Sequence, residues 1–233
     1  MSTAILIGGG FFLKRYPKVF INGSNHTPKE KAENMYRMAM RHLRQRQSSC
    51  QLYRIFYYDC EPFDKGAHNP VSNKFIDFPR TPQAIERKSF FDELKKRRKL
   101  ALRLGQLQSS KDWIITPSKT KELLKKKISV DDLTENDVRP NIRQKGVDMK
   151  IGIDITSLAI KQMVSQIILV SGDSDFVPAA KTARREGIDF ILDPMWNPIA
   201  PDLHVHIDTA RQSISYDILE YTPERYVGCL PKS

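Results

Sequence analysis

Apolar and polar positions fall into a few readable blocks along the chain. Ala4 to Ile7 is a short continuous apolar run that ends in three glycines, the pattern of a buried strand. Pro28 to Gln47 places Met35, Met38 and Leu43 roughly on one helical face, with Thr27 positioned to cap and Pro28 suited to the first helical position. Leu52 to Tyr58, rich in Tyr, Phe and Ile, predicts a strand. Cys60 to Pro82 predicts a loop, because Pro62, Pro70, Pro79 and Pro82 punctuate small polar residues. Ala84 to Gln108 predicts a long basic helix with Phe91, Leu94, Ala101, Leu104 and Leu107 as its inner stripe. Thr116 to Arg143 predicts a shorter helix, another helical turn and a linker ending near Pro140.

The last third is sharper. Val147, Ile151, Ile155 and Leu158 have helical spacing, predicting a helix from Val147 to Met163. Ile167 to Val170 is continuously apolar, as a central parallel strand must be when both of its faces are covered. Ser171 to Asp175 forms a turn, Val177 to Glu186 a helix closed by Gly187, and Ile188 to Leu192 the next strand. Strand, turn, helix and strand make a βαβ unit, so the expected class is α/β with a mostly parallel sheet. No repeat or long Pro/Gly linker divides the chain. The expectation is one domain over residues 1–233 with a basic helical insertion at about 84–143.

Composition narrows the function classes. Of 233 residues, 40% are hydrophobic and 28% charged, too apolar for a disordered chain and too polar for a membrane protein. No run approaches the ~20 apolar residues of a membrane span. The Ala4–Leu13 segment, broken by Gly8, Gly9 and Gly10 and lacking a preceding basic residue, argues against a secretory signal. Cys50, Cys60 and Cys229 suit neither a disulfide scaffold nor a thiolate zinc site. A soluble protein of a reducing compartment, the cytoplasm, is expected.

The net charge of +11 is concentrated. Between Lys95 and Lys127 stand twelve basic residues against Asp112 and Glu122, a net +10, which leaves +1 for the rest. Lys95, Lys96, Arg97, Arg98, Lys99, Arg103, Lys125, Lys126 and Lys127, with Arg143 and Lys145 beyond, are candidate contacts to a polyanion, RNA above all. Trp113, Phe90 and Phe91 flank the cluster and are candidate stacking platforms. The alternative is a solvated face. A membrane surface is disfavoured because no large apolar face accompanies the charge.

Asp173 and Asp175 follow the apolar strand directly, at the carboxyl edge where parallel sheets bind ligands. Asp148 opens the helix leading into that strand. Asp154 lies about 120° away from it around an ideal helix, so Asp148 is the better candidate for a shared pocket. Carboxylates ~4 Å apart repel by roughly 4 kcal/mol at an effective dielectric near 20, and a divalent cation offsets this. The competing reading makes Asp173 and Asp175 helix caps. Asp59 either joins the same sheet edge or forms a turn, and His204 and His206 read as surface histidines.

The strings Gln144-Lys145-Gly146-Val147-Asp148-Met149-Lys150-Ile151-Gly152-Ile153-Asp154 and Ser171-Gly172-Asp173-Ser174-Asp175-Phe176-Val177-Pro178-Ala179 closely resemble the NYN domain of the LabA-like branch. Ala183-Arg184-Arg185-Glu186-Gly187, Phe56-Tyr57-Tyr58-Asp59-Cys60 and His68-Asn69-Pro70 extend the resemblance. It implies a PIN-like three-layer sandwich, with acidic residues at the sheet's carboxyl edge binding Mg²⁺ or Mn²⁺ for ribonuclease chemistry. Asp148, Asp173 and Asp175 match the family's metal-site aspartates, and Asp154 a recurrent acidic position. Lys145, Arg143 or Lys181 would contact neighbouring phosphates.

One position departs from the pattern. The family's first strand ends in an aspartate, where this chain has Ile7-Gly8-Gly9-Gly10-Phe11-Phe12. A competing register through Val19-Phe20-Ile21-Asn22 puts Asn22 there; Gly8 is preferred because Phe11 to Arg15 continues the match. Either way a carboxylate is missing, so the expectations are an impaired ribonuclease or a non-catalytic RNA-binding module. A carboxylate-nucleophile phosphatase is weaker, because Val177 stands where threonine is expected. The Tyr216–Tyr226 tail, with Ile218, Leu219 and Tyr221, is a candidate surface for a homo-oligomer.

Overall fold

A computed structural model describes residues 2–44 and 50–210. In chain order the elements are β1 (Ser2–Gly8), α1 (Gly9–Val19), α2 (Pro28–Arg44), β2 (Gln51–Cys60), β3 (Gly66–His68), β4 (Phe75–Asp77), α3 (Pro82–Lys95), β5 (Leu100–Ile115), α4 (Pro117–Leu124), β6 (Val138–Lys145), α5 (Val147–Ile160), β7 (Gln166–Val170), α6 (Val177–Arg185), β8 (Asp189–Asp193), α7 (Pro201–His204) and β9 (Thr209–Ala210). They divide into two compact units. The first takes residues 1–59, 89–105 and 146–233, the second residues 60–88 and 106–145.

The first unit is built on a mostly parallel sheet in the order β5-β2-β1-β7-β8-β9. β1 pairs parallel with β2 on one side and β7 on the other, and β8 continues parallel beyond β7. Strands this central lose solvent on both faces, which is why β1 and β7 are apolar throughout their length. Ile5, Ile7, Ile55, Tyr57, Ile168 and Val170 pack with Phe12 and Tyr16 of α1, Met35 and Met38 of α2, and Phe90, Phe91 and Leu94 of α3. The alternate positions Ala4, Leu6, Phe56, Tyr58, Ile167 and Leu169 are as deeply buried on the opposite face. There α5 contributes Val147, Ile151 and Ile155, and α6 its alanine stripe Ala179, Ala180 and Ala183. This is the mixed α/β, helix-flanked sheet expected of a PIN-like sandwich.

Gly9, the first residue of α1, is dictated by packing. A Cβ there would stand 2.5 Å from Asp59 Oδ2 and 2.6 Å from the Tyr57 hydroxyl, both on a buried strand. Gly9→Ala is therefore expected to cost about 1–3 kcal/mol by overpacking, read as a lower urea midpoint at unchanged m-value.

In the second unit β3 and β4 form a small antiparallel pair, and the outer part of β5 pairs antiparallel with β6. Buried Asn69 ties this unit together: its side chain accepts from the Val71 and Ser72 amides and donates to the Glu135 carbonyl.

Several sequence expectations are corrected here. The helix expected to run from Ala84 to Gln108 ends at Lys95, and Leu100–Ile115 is a strand. Leu100, Leu102 and Leu104 alternate, and they pack on the core of the first unit with the period of a strand. Lys99 at φ 57° breaks the helical path just before them. The linker expected near Pro140 is instead part of β6, so the 84–143 stretch is α-helical only in α3 and the short α4 and otherwise holds the β5–β6 pair. The loop over 60–82 contains β3 and β4, and the glycines of 8–10 lead into α1, a helix whose start carries no helical signal in the sequence. The expected helix from Pro28 reaches Arg44, and its residues 45–47 lie outside the described residues, as does the Tyr216–Tyr226 tail.

Candidate functional site

Parallel pairing aligns the carboxyl ends of β1, β2, β7 and β8 along one edge of the first unit's sheet. Gly8 ends β1 opposite Tyr58 of β2. Val170 ends β7 opposite Ile7, and the chain then turns through Ser171 and Gly172 to Asp173. The turn is held locally. The Asp173 amide donates to Ser171 Oγ at 3.3 Å, and Asp173 Oδ1 caps the 3₁₀ turn Ser174–Phe176 by accepting from the Asp175 amide at 3.0 Å. The capping reading of Asp173 is therefore true of one of its oxygens.

Asp148, in the first turn of α5, belongs to the same constellation. Its carboxyl is held above the usual carboxylate range, first by desolvation and then by the charges of Asp173 and Asp175. All three are exposed, and none takes part in an ion pair among the described residues. Mutually repelling carboxylates without a protein cation are the donor set of a hard divalent ion. Among the described residues, however, no three acidic, histidine or cysteine side chains converge closely enough to hold a metal by themselves. Gly8, at the end of β1, adds no side chain to this edge.

Asp154 goes elsewhere. Its Oδ2 accepts from the Tyr58 hydroxyl at 2.7 Å and from Arg103 Nε at 3.2 Å, and Arg103 lies over the Phe56 ring at 5.2 Å. Burial, and then the bond to Asp154, push the Tyr58 phenol well above its ordinary range. Asp154 thus ties α5 to β2 and β5. Tyr58→Phe is expected to cost about 1–3 kcal/mol by leaving Asp154 with fewer partners, measured by chemical denaturation.

Asp59 does reach the sheet edge. It is 1% exposed, accepts from Tyr57 Oη at 3.3 Å and abuts Gly9 at the start of α1. Asn22 does not: it follows α1 in a left-handed turn at φ 54°, so the competing register has no strand to end. Asn197 was missed by sequence reasoning. It lies beside the Asp173 turn, since a Cβ on Gly172 would stand 3.2 Å from Asn197 Nδ2 and 2.7 Å from the Phe11 ring. The signal available was its place just beyond the β8 carboxyl end.

The cationic run is divided. Lys95 to Arg103 belong to the first unit and Lys125, Lys126, Lys127, Arg143 and Lys145 to the second. Lys95 pairs with Asp92, Lys96 with Glu93 and Arg97 with Glu33, while Lys99 donates to the Leu52 carbonyl. Arg98, Lys125, Lys126, Lys127, Arg143 and Lys145 are exposed, with no ion pair among the described residues. Phe90 and Phe91 are each 2% exposed, packed against Tyr57, so they cannot stack on bases; Trp113 is half-buried. His204 is exposed, as expected for a surface histidine. No helix of the described residues is long and apolar enough to cross a membrane.

A family profile described as the NYN domain matches residues 72–195, a span that contains Asp148, Asp154, Asp173 and Asp175 but begins after β1. No curated protein matches the chain. A solved protein of unknown function from Vibrio parahaemolyticus RIMD 2210633 is similar over 94% of this chain and 95% of its own, at 14% identity and a TM-score of 0.43.

Proposed function

Because the chain belongs to the NYN domain family, we propose that it is a metal-dependent endoribonuclease of the LabA-like branch, working below the family's capacity because Gly8 replaces a carboxylate. One observation carries this reading: Asp148 at the start of α5 and Asp173 and Asp175 just beyond β7 are three exposed carboxylates with no ion pair among the described residues, and burial together with the charges of the other two raises the Asp148 carboxyl. Mg²⁺ or Mn²⁺ would be held there by Asp148, Asp173 and Asp175, in part through bridging waters because the three do not converge on one point, and would supply an activated water and a counter-charge to the scissile phosphate. The chain's own part is to orient those carboxylates: Asp173 through its bond to the Asp175 amide, Asp148 through the start of α5. Arg98 in the first unit, and Lys125 to Lys127, Arg143 and Lys145 in the second, are offered to RNA phosphates.

A second reading, a non-catalytic RNA-binding module, is favoured by the side-chain-free Gly8 and by the spread of the three carboxylates. Calorimetric titration of Mn²⁺, together with cleavage of total RNA, separates the two. The catalytic reading expects Mn²⁺ binding that weakens by about tenfold or more in Asp173→Asn, each tenfold being ~1.4 kcal/mol. Salt-sensitive RNA binding with no response to Mn²⁺ in either chain would leave the binding module standing.

A further inference from the structure

The opposite end of the same sheet carries a second concentration of charge. β8 begins at Asp189 and runs parallel to β7, so the segment leading into it lies at the amino end, away from Asp173. There Lys181, Arg184 and Arg185 of α6, with Gly187, His206 and Asp208, line an open cavity of about 730 Å³. That is within the range of small-molecule sites, ~300–1,000 Å³.

The carboxylates at its rim are already engaged. Asp208 accepts from Arg184 Nε at 2.9 Å and from the Phe190 amide at 2.8 Å, and Asp189 accepts from Gln166 Nε2 at 2.6 Å. Lys181 and Arg185 stand one helical turn apart, exposed, and neither makes an ion pair among the described residues. Last-turn cations offset a helix dipole, which accounts for Arg184 and Arg185 but for neither Lys181 nor the cavity. The His206 imidazole is pushed below its ordinary range, first by desolvation and then by Lys181 and Arg184, against a smaller opposing pull from Asp202, so the two cations act on the ring at the cavity's wall. Gly187, at φ 77°, ends α6 without a side chain, and a Cβ there would meet nothing within 4 Å.

We propose that this cavity is a phosphate-binding site for a ligand of nucleotide size, separate from the carboxylate edge. Arg185 supplies a planar donor fork, Lys181 a point charge and His206 a ring N–H, a combination that recognises phosphate oxygens, whether of a monoester or of a strand diester. The phosphate comes from a free mononucleotide or from an RNA strand, and the two sources are separable.

The test follows the His206 ring signals of the full chain by NMR during titration with inorganic phosphate, adenosine 5′-monophosphate, and an RNA oligomer carrying a 5′-hydroxyl. Phosphate and the mononucleotide are expected to shift the ring and move its titration upward. Lys181→Glu with Arg185→Glu should weaken binding by at least about tenfold, since charge-assisted bonds dominate such sites. The milder Lys181→Gln with Arg185→Gln pair should act in the same direction, which guards against a folding effect. Asp173→Asn should leave the response unchanged, so this inference and the proposed nuclease stand or fall separately. Saturation by the mononucleotide alone assigns a free ligand, and saturation by the RNA assigns a strand phosphate. Ring signals unmoved by all three probes, or binding undiminished in both double variants, would overturn the proposal.

Discussion

Gly8→Asp is expected to raise Mn²⁺-dependent RNA cleavage by on the order of 100-fold, the size of effect associated with one well-placed electrostatic group at a reacting centre. The backbone permits the change. Gly8 has φ −72° and ψ 107°, ordinary extended values, and a Cβ there would lie 3.6 Å from the Val170 carbonyl oxygen and 3.9 Å from Phe11 Cβ, both normal contacts. Gly8 is also the N-cap of α1, which has no side-chain cap and no acidic residue in its first turn. Aspartate there favours the helix; since Gly and Asp differ little as caps, the expected gain is a few tenths of a kcal/mol. Gly8 is buried and the new carboxylate adds to the repulsion at this edge, so thermal melting is what separates an inactive Gly8→Asp chain from an unfolded one. Adding Asp173→Asn to Gly8→Asp should return cleavage to baseline. If Gly8→Asp binds RNA and melts normally yet cuts nothing with either Mn²⁺ or Mg²⁺, the carboxylate edge is not a nuclease centre and the binding module is the better account.

The largest loss of stability is expected from His42→Ala. His42 Nε2 lies 2.9 Å from Asp193 Oδ2, with both side chains fully buried. Asp193 Oδ1 accepts from the Met195 amide at 2.8 Å, opening a bend in which Met195 and Trp196 both take left-handed φ values, 45° and 58°. Buried Arg15 clamps the bend, donating to the Met195 carbonyl at 2.8 and 3.0 Å and to the Trp196 carbonyl at 2.9 Å. Removing one partner of a buried pair typically costs 3–5 kcal/mol. Against this, His42 Nδ1 is buried without a partner, itself a cost of about 1–3 kcal/mol that the alanine removes. These two terms leave about 2 kcal/mol, to which the cavity left by the buried ring adds, and the total is measured by urea denaturation. His42→Ala and Arg15→Met should be non-additive, because both act on one bend. A loss under 1 kcal/mol would mean that the bend is held without the pair. The bend leads into Asn197 beside the Asp173 turn, so its loosening should also be felt at the carboxylate edge.

Much of the first unit was legible in the chain. A strand buried on both faces must be apolar at consecutive positions, and Ala4–Ile7 and Ile167–Val170 therefore announce themselves. The turn Ser171–Asp175 and the glycine stop at Gly187 follow from equally local chemistry, and so does the placement of two aspartates at a strand's carboxyl end. These features depend on neighbours in sequence, where pattern and cause coincide.

What required the tertiary structure is whatever depends on distant partners. Leu100, Leu102 and Leu104 follow a helix without a proline or glycine between, and pairing beside β2 is what makes a strand of them. The cations of 95–127 are one block in sequence, yet the fold divides them between two units and engages Lys95, Lys96, Arg97 and Lys99 internally. Helical spacing separates Asp148 from Asp154 by about 120° but does not name the partners of either. Packing leaves one exposed, within the field of Asp173 and Asp175, and gives the other to Tyr58 and Arg103, because a side chain's partners are set by which helix face the sheet covers.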